Sequence, residues 1–219
     1  MPHHCHDEHC DHDHSSDITP AIQNLLYTQL DFPSIRTLNE STSGSGASIC
    51  KKPWSERLSD NPILTSDADE QIILHIPFTG QVRLHSIHIR SDNTSSAPKT
   101  VKAYINQDDL DFTSIETAKV TQEFELACSN EVQDLGVKRA LWNATRSITL
   151  FFSENWSGGE EDETRIGYVG FKGDFMKLNR EPVDVLYEAA ARPSDHKVEG
   201  VGGEVGGMGF GAGGGRQGF

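Results

Sequence analysis

Residues 66–91 read SDADEQIILHIPFTGQVRLHSIHIRS. An acidic cluster, Asp67, Asp69 and Glu70, runs into the β-branched and aliphatic string Ile72, Ile73, Leu74, His75, Ile76. The break Pro77-Phe78-Thr79-Gly80 follows, and a second apolar run carries Val82, Leu84, Ile87 and Ile89. Two strand-like runs parted by a short Pro/Gly segment predict a β-hairpin, because Pro and Gly supply the backbone angles of a reversal. In the second run Val82 and Leu84 share one parity, and Ile87 and Ile89 the other. A bulge near Ser86, or a strand buried on both faces, accounts for that switch. This is the most strongly β-patterned part of the chain and is expected at the centre of the sheet.

Outward from this centre the same period recurs. Val101, Ala103 and Ile105 alternate with Lys102 and Tyr104, the signature of a half-buried strand. Val120, Phe124 and Leu126 share a face opposite Thr121, Glu123 and Glu125, and Ile148, Leu150 and Phe152 share one opposite Phe151. Ile166 and Tyr168 stand against Val169 and Phe171, whereas residues 135–142, LGVKRALW, fit a strand or a turn. On the amino-terminal side, Asp17 or Thr19 could cap a short helix reaching Leu30, with Ile22, Leu25, Leu26 and Leu30 at helical spacing. Residues 31–65 read as irregular, with a Ser/Gly loop at 42–48. Short strands, frequent turns and little helix indicate an all-β, antiparallel sandwich of the jelly-roll kind.

Both ends are biased in composition. Residues 1–14, MPHHCHDEHCDHDH, hold six of the ten histidines and two of the four cysteines, which predicts a disordered tail. Its imidazoles and thiols, His3, His4, Cys5, His6, His9, Cys10, His12 and His14, are zinc, copper and nickel ligands by type. Their spacing matches no standard structural zinc site, so adventitious metal binding is the expectation and no cofactor is required. Residues 200–219 contain eleven glycines and read as a flexible tail. The roughly 175 residues between are enough to bury about 70% of the surface their unfolded chain exposes. Cys50 and Cys128 are expected as free thiols in a reducing compartment.

The formal charge of −14 repels phosphates, which argues against nucleic acid or an anionic membrane as partner. No run of about 18 apolar residues and no secretory leader is present, so an intracellular protein is expected. That reading removes the meaning of the Asn-x-Ser/Thr sequons at Asn39, Asn93, Asn143 and Asn155. No nucleophile elbow, phosphate-binding glycine loop or His-Glu-x-x-His stands in the chain, and a non-enzymatic role is expected. His85 and His88 have opposite parity and are read as structural. Asp67, Asp69 and Glu70 are expected to organise a loop. The acidic run Glu160, Glu161, Asp162, Glu163 reads as a solvated loop able to meet a basic surface. Trp54 is expected as a core or lid aromatic. A carbohydrate or small-ligand module is one alternative, for which Trp54, Trp142 or, best placed, Trp156 could supply an aromatic platform, and metal handling by the amino-terminal His/Cys tail is another.

Five segments in order, Leu38-Asn39-Glu40-Ser41, Lys52-Pro53-Trp54, Ser66-Asp67-Ala68-Asp69-Glu70, Ile76-Pro77-Phe78-Thr79-Gly80 and Pro193-Ser194-Asp195-His196-Lys197-Val198, together resemble the PITH domain, the proteasome-interacting thioredoxin domain. The resemblance covers residues 18–199, between a tail at 1–17 and another at 200–219, and the His-rich start is similar to stand-alone members of the family. It implies a galactose-binding-domain-like sandwich and association with the 26S proteasome through its regulatory particle, in cytoplasm and nucleus, by a protein that is a monomer when free. The redox domain of the thioredoxin-linked members has no counterpart here, so the resemblance implies no oxidoreductase activity and no catalytic residue. The matched positions Asn39, Glu40, Ser41, Trp54, Asp67, Asp69, Glu70, Asp195 and His196 serve fold or partner binding on this reading.

Overall fold

In the computed structural model of the chain, residues 23–176 are described. Eight strands follow one another: β1 Arg36–Leu38, β2 Leu64–Thr65, β3 Ile72–Ser91, β4 Pro98–Ile105, β5 Gln122–Glu125, β6 Gln133–Gly136, β7 Thr145–Asn155 and β8 Arg165–Phe175. Among the described residues one helix, α1, spans Ser45–Cys50, and single 3-10 turns lie at Tyr27–Gln29, Phe32–Ser34 and Trp54–Glu56.

The expected hairpin is replaced by one strand. β3 runs 20 residues without reversing, and its two halves serve two layers. Ile72–Pro77 pairs with β7 and, through Ile73–His75, with β1. Val82–Ser91 pairs with β8 and, through Ser86–Ile89, with β6. The Pro-Phe-Thr-Gly segment lies at the register shift between Pro77 and Val82, where the strand passes from one layer to the other. Its backbone finds partners off the main ladder: the Pro77 carbonyl accepts from Asp31 N–H at 2.9 Å, and Phe78 bridges Leu30. A Cβ on Gly80 would stand 2.8 Å from the Phe175 ring, so glycine there reflects a close approach rather than a turn. A break in the ladder can be a bend as easily as a reversal, and local sequence does not distinguish them.

All pairings are antiparallel. β1, β3, β7, β4 and β5 form one layer, and β6, β3, β8 and β2 the other, giving the antiparallel, jelly-roll-like sandwich anticipated from the periodicity. Between the layers lie Ile72, Leu74, Ile76, Leu84, Ile87, Ile89, Val101, Ala103, Ile148, Leu150, Phe152, Val169 and Phe171, in one apolar cluster. The parity switch in β3 coincides with a register shift between Leu84 and Ser86, the bulge expected near Ser86. A second cluster, Ile73, Tyr104, Ile115 and Phe151, sits on the outer face of the first layer under Leu110, Phe112, Ala118 and Val120. That covering explains why β3 is apolar on both faces.

Two local expectations give way to tertiary context. Of the helix expected up to Leu30, residues 17–22 lie outside the described residues; from 23 to 30 the chain forms a 3-10 turn at Tyr27–Gln29 rather than an α-helix, since Asn24 has φ +65°, Leu25 bridges Lys172, and Leu26 N–H donates to Phe171 O at 2.9 Å. Leu26 and Leu30 enter the core, and docking onto the sheet outweighs marginal α-helix over these described residues. Conversely, the Ser/Gly stretch expected as loop becomes α1, because the Glu40 carboxylate accepts from Gly44 N–H (2.6 Å), Gly46 N–H (2.9 Å) and Ser45 Oγ (3.2 Å). Residues 135–142 divide between the end of β6 and a turn that buries Trp142 completely. Among the described residues no helix is long and apolar enough to cross a membrane.

Candidate functional site

The polar residues of the sequence motifs converge on three loop anchors. In the first, Lys52 is buried to 2% exposure, and its ammonium donates to Ser59 O (2.8 Å) and Gly167 O (2.7 Å). Burial, then the neighbouring Arg90 guanidinium, lowers its pKa, opposed by Asp60 and Glu56. Arg90 is also buried and donates to Asn130 O (2.9 Å), Ser59 O (3.2 Å) and Asp60 Oδ1 (2.8 Å). The Arg90 hydrogen bond and charge hold the Asp60 carboxyl below its usual range. These cations clamp residues 59–60 and 130 against β3 and β8. Trp54, half-buried, packs 5.2 Å from the His88 ring and edge-on to Tyr168 at 6.4 Å, with the Arg57 guanidinium 4.4 Å from its centroid.

In the second anchor, Asn39, held at φ +66°, ties the acidic loop to β1. Its Nδ2 donates to Asp69 Oδ1 (2.7 Å), Asp69 O (3.1 Å) and Gln71 O (2.6 Å), and its Oδ1 accepts from Ala68 N–H (2.9 Å). Asp69 Oδ1 also accepts from Gln71 N–H at 3.0 Å. Ser41 N–H donates to Thr65 O at 2.9 Å, and Glu40 bridges Ser66 while capping α1. Of the acidic trio Asp69 organises the loop, while Asp67 is exposed and Glu70 half-buried at its rim. Among the described residues no three His, Cys, Asp or Glu side chains gather to hold a metal.

The third anchor is the loop after β7. Asn155 donates to Glu161 O (2.9 Å) and Glu163 O (3.1 Å) and accepts from Ser157 N–H (3.0 Å) and Oγ (2.6 Å). Gly158 and Gly159 take φ of +68° and +91°, which L side chains rarely adopt. Within the acidic run, Glu161 is spent inward: its carboxylate accepts from Ser95 Oγ (2.6 Å) and Ser96 Oγ (2.7 Å), which lowers its pKa. Glu163 meets Arg165 at 3.5 Å, while Glu160 and Asp162 are exposed. Trp156 is 44% exposed, donates from its indole N–H to Leu126 O at 3.2 Å, and has Lys99 Nζ 5.9 Å from its ring. Trp142, fully buried with its N–H on Gln122 Oε1 at 3.1 Å, cannot serve as a platform.

Two histidines take separate partners, His85 with Asp174 at 3.1 Å and His88 with Asp134 at 3.4 Å. His75 marks a cleft that motif reading did not single out. It lies on the outer face of the first layer, where Arg36, Leu38, Ile73, Asp108, Asp109, Leu110 and Asp111 enclose about 250 Å³ with it. An adjoining, more open depression of about 520 Å³ is bounded by Asp31, Pro33, Arg36, His75, Pro77, Asp108, Arg146 and Ser147. Arg36 donates to Asp108 O at 2.5 Å, and Ser147 Oγ to the Asp108 carboxylate. The one signal in the sequence was a titratable side chain inside the most apolar string of the chain. The tail ligands His3, His4, Cys5, His6, His9, Cys10, His12 and His14, and the motif residues Asp195 and His196, lie outside the described residues.

Inward-facing polar side chains thus fasten the surface loops to a rigid sandwich. Residues 16–191 match the PITH domain, and the chain belongs to the PITH domain family. It is 36% identical over 198 residues to a PITH domain-containing protein of Schizosaccharomyces pombe, covering 89% of this chain and 92% of that one. It is 33% identical over 179 residues to human PITH domain-containing protein 1, covering 80% and 82%. Solved structures that resemble it include the family 32 CBM from C. perfringens NanJ in complex with galactose, with a TM-score of 0.47 and 8% identity over 65% of this chain and 97% of that one. The family 32 carbohydrate-binding module from Streptococcus pneumoniae EndoD gives a TM-score of 0.47 and 12% identity, covering 66% and 99%.

Proposed function

We propose that this protein is a non-enzymatic module of cytoplasm and nucleus that docks on the regulatory particle of the 26S proteasome and modulates protein degradation. Membership of the PITH domain family supports the choice of partner. The observation that carries the reading is the use of the anchoring side chains: Asn39, Glu40, Lys52 and Asp69 of the motifs, and Asn155 and Glu161 of the loop after β7, direct their hydrogen-bonding capacity into the fold. A scaffold so tied presents loops at low ordering cost, as a recognition surface requires.

Affinity capture of the tagged full-length chain from its native cell extract tests this, in parallel with chains lacking residues 1–16 or 200–219. Stoichiometric recovery of 26S proteasome is expected, and the truncations report whether sandwich or tails carry the contact. No enrichment of any proteasome subunit over a control at moderate salt would end the reading. The half-exposed Trp156 favours a second reading, a carbohydrate-binding loop. It predicts glycan binding that is lost in Trp156→Ala.

A further inference from the structure

The cleft around His75 contains a geometric mismatch that points to a ligand. Thr149 Oγ1 donates its single proton to Gln107 O at 2.9 Å and lies 3.0 Å from His75 Nδ1. A hydroxyl has one proton to give, so Nδ1 must carry the hydrogen and donate to Thr149. The neutral ring therefore presents a bare lone pair at Nε2. His75 is 93% withdrawn from solvent by its 7% exposure, and Nε2 faces Asp108 Oδ1 at 3.9 Å, beyond hydrogen-bonding distance. Nε2 is thus the acceptor left without a hydrogen bond, while Asp108 Oδ1 accepts from Ser147 Oγ and, on a side chain 62% exposed, has a lone pair for a second donor. One atom at about 2.8 Å from each would subtend an angle of about 90°, which two N–H bonds about 109° apart meet with each hydrogen bond bent by about 10°. A group with at least two protons to donate completes the pair.

The surroundings select its charge and shape. Asp108, Asp109 and Asp111 line the enclosed part of the cleft against one cation, Arg36. Asp111 is occupied by Thr113 and Ser114 N–H, and Arg36 directs Nη2 to the Asp108 carbonyl, whereas the Asp108 and Asp109 carboxylates are exposed. Leu38, Ile73 and Leu110 supply an apolar wall, the surface along which a methylene stem packs while its charged end reaches polar partners. We propose that this cleft binds a primary ammonium carried on an aliphatic stem, with the ammonium donating to His75 Nε2 and the Asp108 carboxylate. A lysine side chain of a polypeptide and a free diamine share this chemistry. The site stands apart from proteasome docking and does not depend on it.

The imidazole must be neutral to accept. The charged groups facing it are Arg36 from β1, Asp108 and Asp109 from the loop after β4, and Asp31 and Arg146 across the adjoining depression, with neutral Thr149 on β7. Protonation would remove the acceptor and place a cation where the ammonium sits.

The test is an NMR titration of the isotope-labelled full-length chain with Nα-acetyl-lysine N-methylamide, 1,5-diaminopentane and the Nε-acetylated lysine control. Saturable shifts centred on Ile73, His75 and Leu110 are expected with either amine and absent with the acetylated control. Whichever amine binds more tightly identifies the source. Asp108→Asn should weaken binding about tenfold, and Asp109→Asn, which removes only a rim charge, by a smaller factor with the native spectrum kept. Lowering the pH from 7.5 to 5.5 should weaken it as well. Equal binding of the acetylated control, shifts away from this cleft, no saturation at tens of millimolar, or affinity unchanged by both substitutions would overturn the assignment.

Discussion

Replacing Asn39 by alanine asks whether the first matched motif is scaffold or contact surface. The Asn39 amide makes four contacts to the 68–71 loop, three through Nδ2 and one through Oδ1. Nδ2 has two protons, so the 3.1 Å contact to Asp69 O shares a proton with a stronger bond. That leaves three effective hydrogen bonds, one of them to a carboxylate. At a net contribution of about 0.5–1.5 kcal/mol each, their loss costs about 2–3 kcal/mol. Alanine at φ +66° adds about 1 kcal/mol of left-handed backbone strain. Asn39→Ala should therefore lose about 3–4 kcal/mol, and Asn39→Gly, which tolerates the backbone angle, about 1 kcal/mol less. Urea unfolding followed by tryptophan fluorescence measures both. With a slope of about 2 kcal/mol/M, the midpoint of Asn39→Ala should fall by about 1.5–2 M. A fall below about 0.3 M would refute the argument and return Asn39 to the candidate contact residues.

Burial pushes the Cys50 thiol up to about 12, so at pH 8 it is almost wholly protonated and inert. Iodoacetamide should label half-buried Cys128 in the native protein and leave Cys50 unmodified until urea is added, as read by peptide mass spectrometry. Equal labelling of the two would contradict the burial. His75 and His88 both have pKa values lowered from 6.5, chiefly by burial. Between the lowered values and 6.5 the unfolded chain binds more protons than the native one, so stability is full above pH 6.5 and falls as pH drops through that window. Tm should decline from pH 7 to pH 5, and His88→Asn should flatten the decline. A Tm constant over that range would refute it.

The period-two alternation at 101–105 was legible because a half-buried strand writes its environment into alternate residues, and 148–152 and 166–171 were legible as strands because burial on both faces writes a near-continuous apolar run. The bulge near Ser86 was legible for the same reason, since a change of parity leaves few physical causes. The sense of the Pro77–Gly80 break was not legible. Proline and glycine announce a departure from the ladder, but whether the chain bends into the second layer or turns back depends on β7 and β8, about 70 to 90 residues away. The loop at 42–48 became a helix through Glu40, whose part as a cap exists only once β1 positions it.

The candidate site divides along the same line. Residue types marked Trp54 as a core or lid aromatic and the trio Asp67, Asp69 and Glu70 as loop organisers, because a large aromatic and carboxylates beside backbone donors have few satisfactory environments; only the structure shows that Asp69 takes that part. The cleft at His75 required the register of β1 on β3, which sets Arg36 opposite His75, together with Thr149 from β7 and Asp108 from the loop after β4. By itself the sequence determined an all-β chain, its buried faces and the polar loops. The tertiary structure decided that β3 is one crossing strand and that four segments distant in sequence meet around one imidazole. Periodicity is a property of each strand alone, whereas register, layer crossing and the tautomer of a buried histidine are set by what lies across from it.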